Sequence, residues 1–101
     1  MYLGKLQKGD PFSSCYSLYN GKWREEPSLQ QRRGNAAASN SKDGLLVTGG
    51  AADGKVLTST EIFHNGQWEW GHQLPMKLTR HCQVQYGDTV YIAGVARIKR
   101  F

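Results

Sequence analysis

The 101-residue sequence predicts an all-β fold in which one complete four-stranded antiparallel unit is flanked by two half-units. Three observations predict it. SLYNGKW, Ser17 to Trp23, recurs as IFHNGQW, Ile62 to Trp68, and LLVTGG, Leu45 to Gly50, recurs as VYIAGV, Val90 to Val95, both at a spacing of 45. Twelve glycines, with abundant Asn, Ser, Thr and aromatic residues, favour short strands joined by tight turns. No stretch has the 3.6-residue apolar period of an amphipathic helix.

Each element has a local reason. Asn20-Gly21 and Asn65-Gly66 are the dipeptides best suited to a two-residue type I′ hairpin. Each is preceded by a strand rich in β-formers, such as Thr60 to Asn65, and followed by a strand carrying Trp23 or Trp68. A tryptophan there can close one edge of a layer by burial, so both are expected to be buried. Leu45, Leu46, Val47 and Val90, Tyr91, Ile92 are apolar runs expected of strands covered on both faces. Lys42-Asp43-Gly44 and Tyr86-Gly87-Asp88 supply the remaining turns. Arg33 aligns with Arg80 once a two-residue shift is allowed in the connecting loop.

Composition narrows the function classes. Hydrophobic content of 39% with mixed charge argues against disorder. The net charge of +5 is spread along the chain, apart from Arg32-Arg33 and Arg97, Lys99, Arg100, which reads as a solvated surface rather than a nucleic-acid footprint. No run reads as a signal peptide or approaches membrane-spanning length, so no membrane partner is expected. Cys15 and Cys82 lack any CxxC spacing and are expected to be two small, buried, reduced thiols, with a single disulfide as the alternative. The missing signal peptide and disulfide framework favour a cytoplasmic setting. His64, His72 and His81 lack metal-ligand spacing, and no serine or cysteine has a nucleophile context, so neither metal nor cofactor is expected.

An apolar strand ending in Gly-Gly, a polar loop, a strand ending in an aromatic residue and then a Trp together resemble the kelch repeat, one blade of a β-propeller. The resemblance covers about Cys15 to Gly94. It implies a kelch-type propeller segment with a half-blade of outer strands over 15–26, a complete blade over 33–71 and a half-blade of inner strands over 80–95. Residues 1–14 are expected to form an N-terminal extension or loop and 96–101 a basic tail. Within the complete blade it implies strands from Gly34 to Ser41, Leu45 to Gly49, Ser59 to His64 and Gln67 to Gly71. Gly49 and Gly50 turn the backbone where a Cβ would clash, and the small Ala36, Ala37 and Ala38 fit the narrow axis of a propeller. Gly94 stands alone at the second occurrence of the glycine pair.

By the same resemblance the expected activity is non-catalytic binding of a protein or peptide through inter-strand loops. The candidate contacts are Ala51, Ala52, Asp53 and Lys55 after the glycines, with Arg33, Asn35, Arg80 and His81 at the strand entrances. Asp53-Gly54 reads equally as an ordinary turn. Arg33 and Arg80 read also as scaffold arginines bonded to nearby backbone. The rival class is a propeller enzyme of oxidase or sugar-isomerase type, whose catalytic residues are not visible here. Open strand edges on the two half-blades add self-association between copies as an expectation.

Overall fold

The computed structural model describes residues 2–3 and 13–94, so the expected extension and tail fall largely outside the described residues. The strands are β1 (Tyr2–Leu3), β2 (Cys15–Tyr19), β3 (Lys22–Glu26), β4 (Ala37–Ser41), β5 (Gly44–Thr48), β6 (Ala51–Ala52), β7 (Lys55–Val56), β8 (Thr60–His64), β9 (Gln67–Trp70), β10 (Cys82–Tyr86) and β11 (Thr89–Ala93). The fold is all-β, and no helix occurs among the described residues.

A four-stranded antiparallel sheet of order β4-β5-β8-β9 forms the centre of the chain. On its amino-terminal side lies the β2–β3 hairpin, with β1 paired to β2 through Tyr2↔Tyr16 and Leu3↔Cys15. On its carboxy-terminal side the β10–β11 hairpin packs against β4. The 45-residue spacing is kept by the backbone: β2 and β8, β3 and β9, β4 and β10, and β5 and β11 each begin 45 residues apart. Even the connections repeat it, since Leu29 N donates to Ser13 O and Leu74 N to Thr58 O, both at 2.8 Å. Asn20-Gly21 and Asn65-Gly66 have positive φ at both central residues, as a type I′ turn requires.

Pleating gives the central sheet two faces. Leu45, Val47, Glu61, Phe63 and Trp68 share one of them. Here Val47 and Trp68 are buried with Cys15 and with Leu29, which comes from the segment joining β3 to β4. Trp68 is 6% exposed, stacks at a tilt on Phe63 with centroids 5.0 Å apart, and donates its indole N–H to Pro27 O at 2.8 Å. Burial, then the nearby Glu26, push the Cys15 thiol above its ordinary pKa, which keeps it protonated and inert.

The same face buries an ion pair. Arg33 donates from Nε and Nη2 to Glu61 Oε2, both at 3.1 Å, and from Nη1 to Gly49 O and Ser59 O. The carboxylate also accepts the Gln30 and Gln31 backbone N–H groups. Both side chains are fully out of solvent. Desolvation lowers the Arg33 pKa and the adjacent carboxylate works against that shift, so the guanidinium stays charged. The β3–β4 connection is thereby fastened to two strand ends and to the middle of β8.

Several expectations need correcting. Trp23 is 60% exposed, because no layer among the described residues covers its face of the β2–β3 hairpin. Cys82 is exposed on the outer face of β10, and both cysteines are free. Tyr91 is exposed while Val90 and Ile92 are half-buried, so β11 is covered on one face only. The first central strand begins at Ala37 rather than Gly34, because Gly34 instead bridges to Ala51. The polar loop after the glycine pair contains a small hairpin, β6–β7, which the repeat alone does not suggest.

Candidate functional site

Gly49 and Gly50 end β5 with φ of 64° and 94°. A Cβ on Gly49 would stand 2.3 Å from Leu78 O, and one on Gly50 would stand 2.8 Å from Gly34 O. The pair therefore allows three chain segments to meet without side chains between them. Gly50 N donates to Leu78 O, Leu57 N to Gly50 O, and Gly34 and Ala51 exchange two backbone hydrogen bonds of 2.9 and 2.8 Å. Arg80 N donates to Asn35 O at 2.9 Å, joining the entrances of β4 and β10. The result is a backbone-bonded platform at one end of the central sheet, carrying the β6–β7 hairpin.

The expected contact residues divide on this platform. Asn35, Asp53, Lys55 and Arg80 are exposed, and their side chains make no hydrogen bond or ion pair among the described residues. Ala51 is half-buried, and Ala52 is buried beneath the hairpin. Arg33 is 3% exposed and serves the core, which removes it as a partner contact. Its alignment with Arg80 also fails. The residue 45 positions before Arg80 is Asn35, and the two share left-handed backbone at φ 57° and 58°. Asp53 (φ 53°) and Gly54 (φ 77°) form a type I′ turn between β6 and β7. Asparagine and aspartate tolerate positive φ, whereas arginine there carries strain of about 1 kcal/mol or more.

His81 is buried below the platform, in a polar relay joining the central sheet to β10. Gln83 Nε2 donates to Leu46 O and Ser39 Oγ, so Gln83 Oε1 faces the Thr48 hydroxyl and accepts its proton. Thr48 Oγ1 must then accept from His81 Nε2 at 2.7 Å, which assigns the proton to Nε2 and leaves Nδ1 as a buried acceptor with no partner among the described residues. Protonation would make Nδ1 a buried donor with nothing to receive it. Burial accordingly holds the His81 pKa below its ordinary value. The unfolded chain binds this proton at higher pH than the fold does, so the cost is absent above about pH 6.5 and grows as pH falls below it. The melting temperature is expected to drop between about pH 7.5 and 5.5, and His81→Gln is expected to flatten that drop. An identical slope in the variant would exclude His81 as its source.

Among the described residues no three His, Cys, Asp or Glu side chains gather as a metal site. His64, His72 and His81 lie on a strand end, a loop and the entrance of β10 respectively.

Fold and platform together define an all-β chain with a backbone-bonded loop surface at one end of its central sheet. No family model matches the chain. Over 75 residues, 72% of its length, it is 29% identical to the spermatocyte protein spe-26 of Caenorhabditis elegans, and the match spans 13% of that relative.

Proposed function

We propose that the chain is a segment of a kelch-type β-propeller that binds a protein or peptide partner through the platform formed by Asn35, Asp53, Lys55 and Arg80. The central sheet is the complete blade in this reading, and the two hairpins are the outer and inner halves of its neighbours. What supports the propeller is the 45-residue offset of every large strand, together with the meeting of the glycine pair with the following segments. The observation that carries the binding role is that the four side chains stand exposed and unbonded among the described residues at one end of the sheet, around a backbone joined by hydrogen bonds at Gly34, Asn35, Gly50, Ala51 and Arg80. The arginine strain at φ 58° is a cost the fold alone does not require.

The test exploits the backbone. Asp53→Asn, Lys55→Ala and Arg80→Gly remove two charges on the hairpin and the arginine head while keeping residues tolerant of positive φ where it occurs. The triple variant is expected to keep its stability within about 1 kcal/mol and to weaken a captured partner at least about tenfold, or 1.4 kcal/mol. Unchanged affinity, measured by titration calorimetry, would remove the platform as the binding surface.

A further inference from the structure

The 45-residue offset makes the interior of the chain a template for a surface it leaves open. Leu18 and Trp23 oppose each other across the β2–β3 hairpin and are 51% and 60% exposed. Their counterparts, Phe63 and Trp68, oppose each other across β8–β9, where Trp68 is buried against Cys15, Leu29 and Val47 and bonded to Pro27 O. The same offset applied to those four contacts gives Thr60, Leu74, Ile92 and His72. All four line one groove of about 270 Å³ between the central sheet and β11. The surroundings that receive Trp68 thus occur twice in the molecule.

The strand edges repeat the pattern. Among the described residues β11 pairs only with β10, so the edge that β5 offers to β8 is open on β11. The occupant that fits this edge and groove together is a hairpin with a tryptophan placed across an Asn-Gly turn. The chain contains two such hairpins, and Trp68 is already buried in its own sheet.

We propose that the groove receives Trp23 from a second copy of this chain, whose β2 pairs antiparallel with β11. The register follows β5 and β8: Val90, Tyr91, Ile92 and Ala93 lie opposite Leu18, Ser17, Tyr16 and Cys15 of the second copy. The two-residue β1, which occupies the β2 edge at Tyr16 and Cys15, gives way to four strand pairs. The Trp23 indole N–H donates to His72 O, a carbonyl that already accepts the Thr60 hydroxyl and has a second lone pair free for it. The contact is heterologous, with hairpin on one copy and groove on the next, so assembly proceeds head to tail and closes into a ring where the rotation allows. It goes beyond the platform reading and uses different residues, so loss of assembly and loss of partner binding are separable.

Size-exclusion chromatography with light scattering on the full 101-residue chain tests it. The unaltered chain is expected to show a mass that rises with concentration above the 11.3 kDa monomer. Trp23→Ala removes the insert and Val90→Arg blocks the groove, and each alone is expected to remain monomeric. Mixed, they are expected to stop at dimers, because one supplies only a groove and the other only a tryptophan. A chain that stays monomeric at every concentration, or a Trp23→Ala variant that assembles as well as the parent, overturns the proposal. Should Val90→Arg fail to fold, the Trp23→Ala comparison still decides.

Discussion

Glu61→Gln is expected to destabilise the fold by about 3 to 5 kcal/mol, a large share of the stability of a domain this size. The substitution keeps the shape and removes one charge. Arg33 is left ionised where no solvent reaches it, and the glutamine amide must place its N–H₂ against donors, since Arg33, Gln30 N and Gln31 N all point at the carboxylate. A buried pair is not in itself a source of stability, because desolvation of two ions offsets their attraction. The double replacement Arg33→Met with Glu61→Leu removes both charges but also takes away the partners of the Gln30 and Gln31 N–H groups and of the Gly49 and Ser59 carbonyls, so it too is expected to destabilise the fold. Chemical denaturation of both proteins measures the two losses. A single mutant that loses under about 1 kcal/mol would show that the carboxylate is dispensable.

Trp68→Ala is expected to cost about 3 to 5 kcal/mol, the usual penalty for emptying a large buried aromatic site. It removes the stacking on Phe63, the cover over Val47 and Leu29, and the bond to Pro27 O that fixes the start of the β3–β4 connection. Trp70 lies on the same face but is exposed, so it does not substitute for Trp68. Trp23→Ala is the control: at 60% exposure its loss in the monomer is expected to stay within about 0.5 kcal/mol. Equal losses for the two tryptophans would contradict the burial that separates them.

The central sheet was legible because its signals are local. An Asn-Gly pair demands positive φ wherever it falls, and its recurrence at 45 residues placed two hairpins in register. The destination of Arg33 was not legible, since its partner lies 28 residues away on another strand. The available signal was on the other side: Glu61 alternates with Thr60 and Ile62 onto the face that carries Val47 and Trp68, and a carboxylate on a core face requires a buried cation. Alignment by residue type paired Arg33 with Arg80, whereas backbone conformation pairs Asn35 with Arg80, and nothing in an arginine announces a left-handed φ. The β6–β7 hairpin escaped because each strand has two residues, too few for alternation to show. At the platform, exposure separates Asn35, Asp53, Lys55 and Arg80 from Arg33, Ala52 and His81, and the one-dimensional pattern contains no such distinction.

Site-specific cross-linking tests the platform most directly. A photoreactive residue is placed at Asp53, in the β6–β7 turn, or at Lys42, in the exposed turn at the opposite end of β5. With a partner captured by the unaltered chain, position 53 is expected to form a covalent adduct with that partner that excess unlabelled chain abolishes, and position 42, which lines the groove assigned to a second copy, is expected to form none with the partner. Partner adducts at position 42 with none at position 53 would place the binding surface at the other end of the sheet and overturn the platform.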